Sequence, residues 1–277
     1  MTNTHSKKPL RGWLANPKRK ERRDTANTFT NKDALKLITE IDRIPEYVSG
    51  TLTKTENSKD LDNQVRLRDK ALIAISWIWF KRAGEVLGLK RKDVSITDRE
   101  LLVTFHIQKK RKRFKTCPEC DTKNGYKSNY CRKCNRDLQT IPVTYEGEPL
   151  IVTKRKTLKN KFTKFVIEWL DKFDTLTENE ESWLFPSLQV FFTSASFRFN
   201  NIKHMTVQNF DRILKRLDSR MTSCLFRYGG AEKYLVLGYT PFELKEIGDW
   251  SSTKMPEIYA KRKGITAAQR RWSEDIR

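Results

Sequence analysis

The chain has 277 residues, and 37% of them are apolar, which is enough for one domain with a buried core or for two small ones. Lys and Arg number 56 against 34 Asp and Glu, so the formal net charge is +22. This charge favours a polyanionic partner, because cations that neutralise phosphates release bound counterions. No apolar run approaches the roughly 18–20 residues of a membrane span, and residues 1–27 lack the apolar stretch of a secretory signal. We therefore expect a soluble intracellular protein that does not bind membranes.

Residues 1–27 contain eight Lys and Arg against two acidic residues, Glu21 and Asp24, and have little apolar content. This composition predicts a mobile basic arm, with a solubilising tail as the alternative. Thr30 or Asn31 can then cap a helix whose apolar positions are Ala34, Leu35, Leu37, Ile38 and Ile41. Polar residues 50–64 predict a loop, and the apolar segment from Val65 to Phe80 predicts a buried helix.

Two short strands are predicted at Leu101–Ile107 and Leu138–Val143, on either side of a polar insertion that contains cysteines. Amphipathic helices are predicted from Lys161 and from Val207, the second capped by Thr206. Thr240-Pro-Phe-Glu opens a further helix that ends at Gly248, because it combines a capping Thr, Pro at the first position and Glu at the third. Together these elements predict an α+β fold that is mainly helical and has one small antiparallel sheet.

Two Cys-x-x-Cys pairs, Cys117 with Cys120 and Cys131 with Cys134, lie ten residues apart within the insertion. Each pair lets two thiolates reach one ion from a tight turn, and two pairs complete a tetrahedral shell. The spacing predicts a zinc ribbon inserted at residues 113–138. Four protein ligands leave no open position for water, so the zinc is expected to be structural. Free surface thiols or two disulfides are the alternatives.

A run of basic residues precedes the first cysteine: Lys109, Lys110, Arg111, Lys112, Arg113 and Lys115. Such a run is commonly only a solvated surface. Because this one borders a rigid metal module on a hairpin, we expect it to contact a phosphate backbone.

Three separated segments share a further pattern. The first is Phe80-Lys-Arg82-Ala-Gly-Glu85-Val-Leu-Gly-Leu, the second is Cys224-Leu-Phe-Arg227, and the third is Gly-Asp-Trp250-Ser-Ser leading to Tyr259. Trp250 precedes Tyr259 by nine residues and follows Arg227 by 23. In their order and separations these segments resemble the catalytic domain of the tyrosine recombinases, the family of the phage integrases. The resemblance covers residues 28–277 apart from the ribbon.

The resemblance implies a site-specific DNA recombinase or integrase that cleaves and rejoins strands through a 3′-phosphotyrosyl intermediate. Arg82 and Arg227 would bind the non-bridging oxygens of the scissile phosphate, because a planar guanidinium meets two oxygens at once and stays charged. Tyr259 would be the nucleophile. Trp250 would pack against the phosphate and donate its indole N–H, and Glu85 would position Arg82. No nucleotide cofactor is needed, since the phosphotyrosyl bond stores the energy for rejoining.

The family's catalytic lysine comes from the turn of a β-hairpin and protonates the leaving 5′-oxygen. Lys109 or Lys110 lies at the end of the first predicted strand, and we favour Lys109. Cys224 stands where the family most often has His, and Tyr228 follows Arg227 where another His is common. Cys224 is therefore either a substitute proton acceptor or a small packing residue.

By the same resemblance the partner is double-stranded DNA. The assembly would be a homotetramer on two duplexes, with a monomer or dimer free in solution. The setting would be the cytoplasm of a prokaryotic cell, with the gene on a virus or another mobile element. Ala267, Ala268 and Trp272 could form one face of a tail that docks on a neighbouring subunit.

Three alternatives remain at this stage. The chief one is a catalytically weak or inactive recombinase-fold protein that binds DNA sequence-specifically. The others are a type IB topoisomerase and a zinc-ribbon transcription factor without enzymatic activity.

Overall fold

The structure is a computed structural model that describes residues 29–45, 47, 56–107, 112–191 and 196–262. The predicted basic arm and the tail with Ala267, Ala268 and Trp272 lie outside the described residues. The chain divides into two compact units. The larger unit is Ala34–Arg227, and the smaller one combines Met1–Asp33 with Tyr228–Arg277.

The described helices have the following bounds. They are α1 (Asn31–Arg43), α2 (Glu56–Trp79), α3 (Ala83–Leu87), α4 (Thr163–Leu176), α5 (Val207–Leu217), α6 (Ser223–Val236), α7 (Pro241–Ile247) and α8 (Lys254–Arg262). Every described helix is too short or too polar to cross a lipid bilayer.

Several helix ends are confirmed, because capping is a local interaction. The Thr30 hydroxyl accepts a hydrogen bond from the Asp33 backbone N–H at 3.3 Å, immediately before α1. Thr206 accepts from the N–H of Asn209 before α5. At α7, Thr240 and Glu243 form a reciprocal capping box, and the helix ends at Gly248 as predicted.

The prediction of a loop over 50–64 is wrong from Glu56 onward, because α2 begins there. Side-chain pairs one turn apart stabilise this polar first part: Gln64 donates to Asp60 at 2.7 Å, and Arg66 pairs with Asp62 at 2.6 Å. The apolar remainder of α2 is buried and packs against α4. Trp169 of α4 is fully buried and donates its indole N–H to the carbonyl of Leu184 at 3.0 Å.

A three-stranded antiparallel sheet is formed by β1 (Val94–Ile96), β2 (Glu100–Ile107) and β6 (Leu150–Thr157), in the order β1-β2-β6. Alternate residues of β2 are buried, which places one face of the sheet on the core. The second predicted strand, Leu138–Val143, does not pair with β2; β6 occupies that place in the sheet. That prediction is wrong: Leu138 is buried among the cysteines of the insertion, and the pairing strand β6 contains three consecutive cations, which hid its strand pattern.

The insertion forms its own antiparallel sheet in the order β4-β3-β5, built from β3 (Lys112–Thr116), β4 (Lys123–Gly125) and β5 (Thr144–Glu146). It thus extends beyond the predicted span of 113–138. A further hairpin pairs β7 (Pro186–Phe191) with β8 (Ser196–His204). The expectation of one small sheet is corrected to three among the described residues, while the mainly helical α+β class is confirmed.

Candidate active site and metal centre

The four predicted ligands, Cys117, Cys120, Cys131 and Cys134, are brought together at the tip of the insertion. Their sulfur atoms all lie within 4.8 Å of one another. The Sγ–Sγ distances are 3.4 Å for Cys117–Cys134 and 3.5 Å for both Cys120–Cys131 and Cys120–Cys134. Four sulfurs about 2.3 Å from one ion are separated by about 3.8 Å in a tetrahedron. The tetrad therefore has the size and donor set of a metal site, and its thiolates suit zinc.

Asn124 connects the two cysteine pairs. It is 3% exposed, and its amide donates to the carbonyl of Thr122 at 2.7 Å and contacts Cys131 Sγ at 3.6 Å. Its carbonyl accepts from the backbone N–H of Arg132 at 2.9 Å. Backbone N–H groups of Cys134 and Lys133 lower the pKa of the Cys131 thiol. Such outer hydrogen bonds orient thiolates for a metal ion.

The basic run before the ribbon divides into residues with different surroundings. Lys109, Lys110 and Arg111 lie outside the described residues. Lys115 does not face solvent, because it is buried and its ammonium donates to the carbonyls of Leu138 at 2.7 Å and Ser128 at 3.4 Å. The expectation that Lys115 contacts a phosphate is therefore corrected.

Arg113 of β3 is exposed, and its guanidinium carbon lies 3.9 Å from the centre of the Tyr126 ring. This stacking fixes the guanidinium while leaving it at the surface. Lys112 is also exposed and lies opposite Glu146 in the sheet. Arg113 and Lys112 are thus the described members of the basic run that are open to solvent.

Arg82 lies at the start of α3, directly after the chain leaves α2. Its Nη1 donates to Glu85 at 2.6 Å, and the same carboxylate accepts from its backbone N–H at 3.2 Å. Glu85 is 8% exposed, whereas the Arg82 side chain is 31% exposed. The pair therefore has a buried acidic end and a more open cationic end. The carboxylate holds the arginine in one orientation.

Arg227 lies in α6 and is 9% exposed. Its Nη1 donates to the carbonyl of Phe80 at 3.1 Å. Phe80 follows the end of α2 with φ of +38°, a left-handed conformation that a bulky residue rarely adopts. This unusual backbone directs the Phe80 carbonyl to Arg227. Phe80 itself lies two residues before Arg82.

Two lysines that the sequence reasoning missed complete this region. Lys81 is 1% exposed and lies with its Nζ 5.3 Å from the centre of the Phe105 ring. Lys154 of β6 lies opposite Val103 of β2, whose side chain faces the core. Lys154, Arg227 and Arg82 each act electrostatically on Lys81, and we name these four residues the cationic cluster. The only sequence signals were the adjacency of Lys81 to Arg82 and the two-residue alternation of β6.

Cys224 is exposed on α6, one turn before Arg227. Partial desolvation and the Asp211 carboxylate raise the pKa of its thiol, against the opposing effect of Arg227. A thiol with a raised pKa is protonated at neutral pH and is a poor proton acceptor. These surroundings argue against the proton-acceptor interpretation of Cys224.

The smaller unit contains Trp250 and Tyr259. The two rings meet edge to face with centres 5.9 Å apart, and Tyr228 contacts Tyr259 in the same way at 5.4 Å. Tyr259 is 3% exposed. A Cβ atom on Gly248 would lie 1.8 Å from Cζ3 of Trp250, so this position has no room for a side chain beneath the indole. The Gly-x-Trp pattern thus positions the indole beside the tyrosine.

No protein-family model and no curated protein matches the chain. It is similar to two crystal structures of the site-specific recombinase XerH, one a pre-cleavage complex with difH substrate and one a post-cleavage complex with palindromic difH. Identity is 15% in both, the TM-scores are 0.46 and 0.47, and the alignments cover 83% and 84% of this chain. The chain spans about half of those chains, 49% and 48%.

Proposed function

We propose that this chain is a tyrosine-type site-specific DNA recombinase or integrase. The observation that supports this most directly is the cationic cluster, whose members come from three distant parts of the sequence: Lys81 with Arg82, Lys154, and Arg227. Like charges that are close together inside a fold repel one another. This repulsion is relieved when an anion binds between them, so such a cluster is typical of an anion-binding site. We take the anion to be a phosphodiester, because the chain is strongly basic and its three sequence segments occur in the order typical of the tyrosine recombinases.

In the proposed reaction each of the candidate residues has one role. The Tyr259 oxygen attacks phosphorus, releases its proton to solvent water and forms a 3′-phosphotyrosyl bond, while the bond from phosphorus to the 5′-oxygen breaks. Arg82 and Arg227 stabilise the negative charge that develops on the non-bridging oxygens. Rejoining is the reverse: a 5′-hydroxyl attacks phosphorus and Tyr259 leaves.

The leaving 5′-oxygen needs a proton, and two lysines can supply it. Lys109 is the candidate from the sequence, and its position lies outside the described residues. Lys154 is the candidate from the structure, because it belongs to the cationic cluster and lies on the core-facing side of the sheet. A lysine at either position acts as a general acid.

The ribbon would bind one structural zinc through Cys117, Cys120, Cys131 and Cys134. In this proposal the exposed Arg113 and Lys112 contact the DNA backbone beside the site. Double-stranded DNA is the partner, and a homotetramer on two duplexes performs strand exchange. Integration or excision of a mobile element inside a prokaryotic cell is the biological event that this chemistry suits.

A second candidate function is a recombinase-fold protein that binds DNA sequence-specifically but is catalytically weak or inactive. The observation that favours it is Cys224, which stands in place of the family's usual His and whose thiol has a raised pKa. This candidate predicts selective DNA binding without covalent chemistry.

The deciding experiment uses the full chain and a pool of nicked duplexes of randomised sequence. A nick close to the cleavage position lets the short product diffuse away, so that the covalent intermediate accumulates. We expect an adduct that resists SDS and is lost in Tyr259→Phe. Tyr239→Phe, in the same unit but outside the proposed site, is the matched control and should form the adduct normally. Selected DNA binding without any adduct supports the second candidate, and an adduct of normal yield in Tyr259→Phe removes Tyr259 as the nucleophile.

A further inference from the structure

Lys81 is buried in the core of the larger unit, where a charged amine is costly. It is 1% exposed, and its Nζ lies over the ring of Phe105 on β2 at 5.3 Å from the centroid. An aromatic face attracts a cation but replaces only part of the hydration that burial removes. Desolvation therefore favours the neutral amine over the ammonium.

The charged groups that act on Lys81 come from every element around it. Lys154 lies on β6, Arg227 on α6, and Arg82 at the start of α3, and all three cations disfavour a further positive charge. Glu85 of α3 has the opposite effect, but its carboxylate is already paired with Arg82 at 2.6 Å. Burial, followed by Lys154, lowers the pKa of Lys81 to about 6.

We propose that the charge of Lys81 depends on the occupant of the cationic cluster: its buried amine is neutral in the free protein and takes up one proton when a phosphodiester binds to the cluster. The inference rests on the proposed function, because it takes the scissile phosphate as the anion. The phosphate charge offsets the repulsion from Arg82, Arg227 and Lys154. An opposite charge within about 4–6 Å moves a lysine pKa upward by about 1–3 units.

Two consequences follow from this coupling. The empty site has one positive charge fewer than its composition suggests, which lowers the repulsion within the fold. Binding of the phosphate takes up a proton, so affinity for the anion falls as pH rises between the free and the bound pKa of Lys81. Below the free pKa the amine is charged in both states, and the coupling disappears.

The test is an NMR titration of the full chain labelled at the lysine Cε and Nζ atoms. Sodium sulfate is the probe, since its charge is constant over this pH range, and sodium chloride at equal ionic strength is the reference. Sulfate is raised until the spectrum stops changing. We expect one lysine to titrate near pH 6 in chloride and at least one unit higher in sulfate. Lys81→Met and Lys81→Arg should each remove that resonance, and either variant suffices if the other does not fold. Lys164→Met, at an exposed position, should not.

The inference is overturned if every lysine titrates above pH 9 in chloride, or if the Lys81 midpoint is the same in both salts. Neither of these measurements requires strand cleavage. Failure of the Lys81 inference can therefore be distinguished from failure of the proposed function. A shifted midpoint without a covalent adduct supports an anion site in a protein that does not cleave DNA. An adduct with an unshifted midpoint leaves the recombinase proposal intact and shows that the charge of Lys81 is not coupled to the phosphate.

Discussion

Arg227 donates a hydrogen bond to the carbonyl of Phe80 across 147 positions of sequence. The bond joins α6 to the residue that follows α2, two positions before Arg82. Phe80 holds a left-handed backbone at this point, and such strain persists only where the surrounding structure enforces it. The second candidate arginine is thus also a structural support for the segment that positions the first.

Because Arg227 also supports the backbone at Phe80, we expect different effects from substitution of Arg82 and of Arg227. Arg82→Ala and Arg227→Ala should each slow single-turnover cleavage by about 10²–10³, since each removes a preorganised donor to the developing charge. Arg227→Ala should in addition lower stability by about 1–2 kcal/mol, because the donor to the Phe80 carbonyl is lost. Thermal unfolding and cleavage on the same samples test this. Arg220→Ala, an exposed arginine paired with Asp218, is the control. Losses below about threefold in both site variants would remove the arginines from the site.

The two candidate proton donors can be separated with a modified substrate. A bridging sulfur at the 5′ position leaves as a thiolate, whose conjugate acid has a pKa of about 8.5, so it does not need a general acid. The variant that lacks the true donor, Lys154→Met or Lys109→Met, should cleave ordinary DNA about 10²–10⁴-fold more slowly and recover on the sulfur substrate. Gel analysis of both substrates measures this. A defect of equal size on both substrates means that the residue does not donate the proton.

The cysteine tetrad should bind one zinc ion per chain. Cys131→Ser should release the ion and weaken DNA binding, because the buried Cys131 sulfur is a proposed ligand and accepts from the Asn124 amide. Cys224→Ser is the matched control and should retain the metal, since Cys224 lies outside the tetrad. Elemental analysis of protein purified without chelators gives the stoichiometry, and a value near zero would reject the metal site.

Cys224→Ala should cleave DNA at a rate within about threefold of the unsubstituted chain. A raised thiol pKa keeps Cys224 protonated across pH 6–8, so it does not accept the tyrosine proton there. The pH–rate profiles of the two proteins should therefore superimpose over this range. A loss of about 10²-fold in a folded Cys224→Ala protein, recovered in Cys224→His, would instead establish the thiol as a proton acceptor.

Gly248→Ala should displace the Trp250 indole, because the added Cβ would lie 1.8 Å from Cζ3. We expect a stability loss of about 1–3 kcal/mol, a change in tryptophan fluorescence and a lower adduct yield. Gly84→Ala is the control for stability, since nothing lies within 4 Å of its added Cβ, and removing a helical glycine contributes about 0.5–1 kcal/mol. An unchanged spectrum and normal adduct yield in Gly248→Ala would show that the indole position is unimportant.

The sequence by itself determined the features that depend on neighbours along the chain. The caps at Thr30, Thr206 and Thr240 were predictable because each side chain bonds a backbone N–H three residues on. The cysteine tetrad was predictable because each Cys-x-x-Cys turn brings two sulfurs together locally. The order of Arg82, Arg227, Trp250 and Tyr259 was also visible as spacing, although their chemistry remains a proposal.

Only the tertiary structure decided which cations are buried and which strands pair. Lys115 and Arg113 lie on one strand of the ribbon, but Lys115 is buried and donates to the carbonyls of Leu138 and Ser128, whereas Arg113 is exposed. The strand that pairs with β2 is β6, a segment rich in lysine whose alternate residues are half-buried. Lys81 is a buried amine that lies over the Phe105 ring, and Lys154 and Arg227 act on its charge from distant parts of the chain. Desolvation and like-charge repulsion depend on distances in space, and no spacing along the sequence encodes them.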